Sequence, residues 1–133
     1  VGNEPPTGGN GPLSRHVLIV EDEENIVESL SFLLEREGYD VKSVLDGSRA
    51  LAHLQERLPD LLILDVMLPG VDGFEILRSI RADESLETLP VIMLTAKMQQ
   101  QDRRTAEEIG VNAFVTKPFS NAEVISIVKS LAP

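Results

Sequence analysis

The chain contains no cysteine, so it holds no disulfide framework and no thiolate metal site. Basic residues are scarce. Twelve Lys and Arg stand against 22 Asp and Glu, a net charge of −10, and the pI is about 4.6. Nucleic-acid binding relies on clustered cations that neutralise phosphates, so this domain is not expected to bind nucleic acid directly. No apolar run approaches the roughly 20 residues needed to cross a bilayer. The first residues lack the basic and apolar segments of a secretory signal. No membrane association and a cytoplasmic home are therefore expected. Internal repeats and signs of a second domain are also absent.

What is present fits one domain with one core. The chain has 133 residues and is 42% hydrophobic, enough apolar side chain to bury and too much for a disordered acidic tail. Residues 1–14 (VGNEPPTGGNGPLS) are rich in Gly and Pro and show no apolar period. They predict a flexible tail, with the structured domain over 15–133.

From His16 onward the hydrophobic period alternates. HVLIV (16–20) is a short apolar run, as in a strand covered on both faces. Ile26, Leu30, Leu33 and Leu34 then recur at helical spacing, and Gly38 marks the stop. YDVKSVL (39–45) predicts a second strand. A helix carrying Ala50, Leu51 and Leu54 ends before Pro59, and DLLILDV predicts a third strand. A loop with Pro69 and Gly70 leads to a helix with Phe74, Leu77 and Ile80. VIMLT (91–95) and AFVT (113–116) predict the fourth and fifth strands, around a polar helix of about 99–109. A last helix carries Val124, Ile125, Ile127, Val128 and Leu131. Alternating strands and helices imply right-handed crossovers and an α/β fold, a parallel sheet with helices on both faces.

In such sheets ligands bind beyond the carboxyl ends of the strands. The residues there form a chemical set. Glu21 and Asp22 follow the first strand, with Glu23 and Glu24 beyond; Asp65 ends the third, Thr95 the fourth, and Lys117 follows the fifth. Clustered carboxylates cannot all stay ionised without a partner, and one lysine is too little. A hard divalent cation is the natural complement. Mg²⁺ suits oxygen ligands and is commonly held by one or two carboxylates plus phosphate oxygens. Neither His16 nor His53 falls at these strand ends, which argues against zinc. A cation, an ammonium and a hydroxyl around a carboxylate are the equipment of phosphoryl transfer, with Asp65 able to act as nucleophile.

These residues resemble the receiver domains of two-component response regulators. The resemblance is carried by IVEDEEN, LLILDVMLPGVDGFE, VIMLTAK and AFVTKPF, in order and at family-like spacing, and runs from about His16 to Leu131. It implies a flavodoxin-like (βα)5 doubly wound sheet of strand order 2-1-3-4-5. It implies that Asp65 accepts a phosphoryl group from a histidine kinase or a histidine phosphotransfer protein. It implies Mg²⁺, or Mn²⁺ in its place, on Asp22, Asp65 and the backbone carbonyl of Met67, with Glu21 acting through water. Lys117 would pair with the phosphoryl oxygens, Thr95 and Phe114 would switch, and Lys117–Pro118 would be a cis peptide. The chain would be a signalling phosphoacceptor, catalysing only its own phosphoryl transfer and slow dephosphorylation. Its kinase partner would dock beside the site, along the Ile26 and Leu30 side of the first helix and the Pro118–Phe119 loop.

Two departures from the family pattern stand out. Glu21 replaces the first of two aspartates found in many relatives, without removing a metal-binding acid. Winged-helix regulators usually carry acids before the fifth-strand aromatic and an arginine on the last helix. Here Asn112, Ala113 and Ile127 stand there, so the usual cross-dimer ion pairs are not expected. Ile127 is expected to be left partly exposed, as a partner or dimer contact on the face of the last two helices and fifth strand. Met67 cannot hydrogen-bond an attacking water, which predicts a long-lived phosphorylated state.

Three other functions fit these residues less well. A flavin carrier needs a phosphate loop where EDEEN stands. A dehalogenase-type phosphatase needs a second aspartate at Met67. A phosphorylation-independent docking module, a degenerate receiver, would lack one of the site residues.

Overall fold

The computed structural model describes residues 14–96 and 100–133. The expected tail lies outside the described residues except for Ser14, as do Lys97 and Met98.

The elements run β1 (His16–Val20), α1 (Glu24–Arg36), β2 (Asp40–Val44), a 3₁₀ turn (Gly47–Arg49), α2 (Ala50–Glu56), β3 (Leu61–Asp65), β4 (Met67–Leu68), β5 (Val71–Asp72), α3 (Gly73–Ala82), β6 (Val91–Thr95), α4 (Gln100–Ile109), β7 (Ala113–Thr116) and α5 (Asn121–Leu131). The main sheet has the order β2-β1-β3-β6-β7, and every pairing in it is parallel. Counting only its five strands, this is the 2-1-3-4-5 order that the resemblance implied.

The continuous apolar runs have the expected cause. All five residues of β1, β3 and β6 are buried, because helices cover both faces of a parallel sheet. Successive side chains point to opposite faces. Leu18, Leu62, Leu64 and Met93 meet Leu54, Leu77 and Ile80 on one face. Val17, Ile19, Ile63 and Leu94 meet Leu30, Leu34, Val124 and Val128 on the other. Fully burying each such side chain is worth roughly 1.5–3 kcal/mol.

Polar residues set the boundaries. The Asp72 carboxylate accepts the Phe74 N–H at 2.9 Å and caps α3, and the Ser120 hydroxyl accepts the Glu123 N–H at 3.1 Å and caps α5. Gly38 closes α1 at a φ of 99°, the left-handed conformation that glycine adopts without strain.

Some details depart from the sequence reading. Residues 67–72 form a small antiparallel hairpin, Met67 opposite Asp72 and Leu68 opposite Val71, where only a loop was expected. Two-residue strands are too short to show a period. Tyr39 lies outside β2, buried, with its hydroxyl donating to the Ala132 carbonyl at 2.7 Å. Ala132, just past the end of α5, is buried along with Val124 and Val128, whereas Leu131 packs only partly against the core. Asn112, at a family dimer position, serves this chain internally. Its Oδ1 accepts the Val91 N–H at 2.8 Å and an Arg81 N–H at 3.0 Å.

Candidate functional site

Strand register sorts the predicted residues into two groups. Asp65 continues the Leu61–Ile63 side of β3, the face covered by α1 and α5. Glu21 and Lys117 continue the same side of β1 and β7. Thr95 follows Val91 and Met93 on the opposite face, where Phe114 also packs. Charge thus gathers over one face, and the two expected switch residues sit over the other.

The charged group converges on Lys117. Its Nζ lies 3.0 Å from Glu21 Oε1, 2.6 Å from Glu23 Oε2 and 3.3 Å from Asp65 Oδ2. The Glu21 contact is an ion pair by distance although its angles fall outside hydrogen-bond geometry. Glu21 is completely buried and Asp65 nearly so, whereas Asp22 is exposed. Glu23 was not singled out in the sequence. The run of acids in EDEEN did signal it, but only the fold shows which of them reaches the lysine.

Burial pushes the Glu21 carboxyl up to about 7, and the negative charge of Asp65 adds to it. The Glu23 N–H and Lys117 pull the other way. Burial also works against the charge on Lys117, yet Glu23, Glu21 and Asp65 outweigh it and raise the lysine pKa. The site therefore holds its cation firmly and carries carboxylate in excess.

That excess fits a metal ion. Ligand oxygens of Glu21, Asp22 and Asp65 lie within 4.8 Å of one another. The buried Glu21 Oε1 meets Lys117 only by ion pairing, outside hydrogen-bond geometry, which leaves it acceptor capacity for a cation or its water. An all-oxygen donor set suits Mg²⁺ or Mn²⁺ rather than zinc. The Met67 N–H donates to Asp65 Oδ1 at 3.2 Å, which braces the nucleophile candidate. The Met67 side chain points to solvent and is 65% exposed.

Close packing sets the position of Asp65. A Cβ on Gly73 would lie 2.4 Å from the Asp65 carbonyl oxygen, and the Gly73 N–H donates to the Val66 carbonyl at 2.8 Å. Only glycine lets α3 start this close to the strand tip.

The remaining predicted residues fall nearby. Thr95 is buried at the end of β6, and its carbonyl accepts the Lys117 N–H at 2.6 Å. The Lys117–Pro118 peptide is cis. Phe114 is half-buried, with the Arg103 guanidinium 5.3 Å from its ring centroid. A groove of about 550 Å³ beside the site is lined by Asn25, Ile26, Ser29, Pro118 and Phe119, among others. Leu30 was expected on this groove but is fully buried in the core. Ser29, one residue earlier on the helix, takes its place.

Comparison with known proteins shows the family. The family model described as "Response regulator receiver domain" matches residues 17–129. The chain belongs to the response regulator receiver domain family. Domains of this family are phosphoacceptors in two-component signalling rather than enzymes in the ordinary sense. The receiver is 46% identical over 115 residues to the phosphate regulon transcriptional regulatory protein PhoB of Rhizobium meliloti (strain 1021). That match covers 86% of this chain and 51% of PhoB, so the chain spans about half the length of that curated relative. The signal receiver domain of a signal transduction histidine kinase from Syntrophus aciditrophicus superposes with a TM-score of 0.82 at 36% identity, covering 89% of each chain. The receiver domain of sensor histidine kinase PA1611 from Pseudomonas aeruginosa PAO1 gives 0.77 at 33% identity, covering 89% of this chain and 97% of that one. That structure contains a magnesium ion coordinated in the active-site cleft. No helix among the described residues of the present chain is long and apolar enough to cross a membrane.

Proposed function

We propose that the receiver unit spans 15–133 and that Asp65 is its phosphoacceptor. The observation that carries this reading is the convergence of Lys117, Glu21 and Asp65 at the carboxyl edge, with Asp22 beside them. An Asp65 carboxylate oxygen attacks the phosphorus of a phosphohistidine on a histidine kinase or histidine phosphotransfer protein. The oxygen–phosphorus bond forms as the phosphorus–nitrogen bond breaks, and its electron pair stays on the imidazole. Lys117 neutralises the phosphoryl oxygens, and the Thr95 hydroxyl donates to one of them.

Asp22, Asp65 and the Met67 carbonyl would hold Mg²⁺ or Mn²⁺, with Glu21 bound through water. The ion supplies positive charge opposite the transferred group. Glu21 and Asp65, being buried, orient that site, and Asp22 closes it toward solvent. When Thr95 engages the phosphoryl group, Phe114 turns inward beside it, because both lie over the α4 face of the sheet. The altered α4–β7–α5 surface, which includes the half-buried Ile127, meets the output partner or a second receiver. The donor protein enters along the groove at Ile26 and Phe119.

Incubation with Mg²⁺ and acetyl phosphate, read by intact mass, tests this. A gain of one phosphoryl group that Asp65→Asn abolishes is the expected result. A folded protein that gains none, either from acetyl phosphate or from a phosphorylated histidine phosphotransfer protein, overturns the reading in favour of a phosphorylation-independent docking module.

A further inference from the structure

An ammonium group has three N–H donors, and three carboxylates stand around Lys117 Nζ. Two of them, Glu21 and Asp65, are buried and belong to the cluster that can hold a cation. The third is different. Glu23 makes the shortest of the three contacts, at 2.6 Å, yet its side chain is 56% exposed. It occupies the N-cap position of α1 without a side-chain capping bond. Its backbone N–H donates to Glu21 Oε2 at 3.0 Å, so the backbone is anchored beside the site while the carboxylate extends to the lysine. That carboxylate lies outside the three-acid cluster. It neither caps the helix nor joins the candidate metal ligands.

We propose that Glu23 is a positioning residue. It acts as a displaceable counter-ion that holds Lys117 until a phosphoryl group arrives on Asp65. This rests on the phosphoacceptor reading above. A phosphoryl group brings new oxygen acceptors next to Lys117, and its negative charge repels the Glu23 carboxylate. Glu21 and Asp65 cannot leave the lysine without stranding buried charge. Glu23 can swing into water at little desolvation cost. The exchange of Glu23 for a phosphoryl oxygen is then the local rearrangement that accompanies phosphorylation. Because Glu23 competes with the phosphoryl group for the same donor, it slows loading of the site.

Three variants separate this exchange from a general charge effect. Glu23→Gln removes the charge and the ion pair. Glu23→Asp keeps the charge but shortens the reach by one methylene. Glu24→Gln removes a neighbouring exposed charge in the first turn of α1 and leaves the lysine contact intact. The rate of phosphoryl incorporation from acetyl phosphate is read by intact mass at saturating Mg²⁺. Mg²⁺ affinity and thermal midpoint are measured alongside. A partly exposed ion pair supports an effect of roughly two- to five-fold. Both Glu23 variants should load faster by that factor, with Mg²⁺ affinity changed less than about two-fold, while Glu24→Gln stays near wild type. Equal acceleration in Glu23→Gln and Glu24→Gln, with none in Glu23→Asp, would assign the effect to bulk charge and overturn the proposal. Slower loading in Glu23→Gln would overturn it as well, by making Glu23 a helper rather than a competitor. A wild-type protein that gains no phosphoryl group would instead remove the phosphoacceptor reading, and this inference with it.

Discussion

At the amino edge of the sheet Asp40 and Asp60 each meet an arginine, whereas at the carboxyl edge Glu21, Glu23 and Asp65 share one lysine. Arg57 lies 2.5 Å from Asp40 and Arg15 lies 3.6 Å from Asp60. Asp60 also accepts the His16 N–H at 2.7 Å, and His16 Nδ1 lies 3.0 Å from the Asp40 carbonyl. Nearby, Arg81 donates to the carbonyls of Gly110 and Glu87 and to Asn112. Charges and donors at this end are matched by groups of the chain itself. At the other end three carboxylates crowd Lys117, and Asp22 adds a fourth to the cluster. The matched edge contributes to stability. The unmatched edge keeps a standing requirement for positive charge, which a divalent cation would meet.

The largest effect should come from disturbing the packing that aims the unmatched edge. Gly73→Ala places a Cβ against the Asp65 carbonyl and Val66 and should cost about 3 kcal/mol or more. Chemical denaturation would measure the loss, and phosphoryl incorporation should fall with it.

Glu21→Gln comes next. The folded Glu21 keeps its proton up to about pH 7, against an ordinary value of 4.5. The folded state thus binds more protons than the unfolded chain between those values. Metal-free stability therefore declines as pH rises through that window. The glutamine variant should lose this decline, as denaturation curves taken between pH 4.5 and 7 would show. It should also bind Mg²⁺ more weakly, as titration calorimetry would detect.

Met67→Asn leaves the charge balance alone and places an amide beside the path of attacking water. It should shorten the phosphorylated half-life several-fold, roughly 1 kcal/mol in the barrier. An unchanged half-life by intact mass would remove Met67 from the account.

Asp60→Ala tests the matched edge. It removes the acceptor of the His16 N–H and the partner of Arg15. A loss of about 1 kcal/mol is expected, with phosphoryl incorporation unchanged within about two-fold. A large loss of incorporation would contradict the division of labour between the two edges.

The smallest effect concerns His16, whose slope opposes that of Glu21. Burial holds its imidazole below the ordinary value of 6.5, and the charge of Arg57 lowers it further, while contacts with Asp40 and Asp60 resist. As pH falls, the unfolded chain takes up this proton first. The stability contribution is complete above pH 6.5 and declines as pH drops from there through the lowered value. His16→Asn, which keeps a donor for the Asp40 carbonyl, should flatten that acid-side decline in denaturation curves taken between pH 5 and 7.

Much of the molecule was legible in the sequence because strong periods and strand-end residues are local features. HVLIV, LLILD and VIMLT announced strands buried on both faces, and these are β1, β3 and β6. Gly38 announced the end of α1, and the acids after the first strand announced a cation-seeking edge. The hairpin at 67–72 was not legible, since two-residue strands leave no pattern. Neither was the burial of Leu30 away from the groove, because a one-residue step on a helix turns a side chain by about 100°.

The sequence by itself determined the order of elements and the kinds of residue that follow each strand. Hydrophobic periodicity and turn chemistry act over a few residues and need no distant partner. Only the tertiary structure decided which acid reaches Lys117, that Glu21 is wholly buried while Glu23 is exposed, and that α3 starts against the Asp65 backbone. Those facts depend on distances between segments far apart in the chain, such as Glu23 and Lys117, 94 residues apart, and such distances are set by packing across the sheet rather than by any local run of residues.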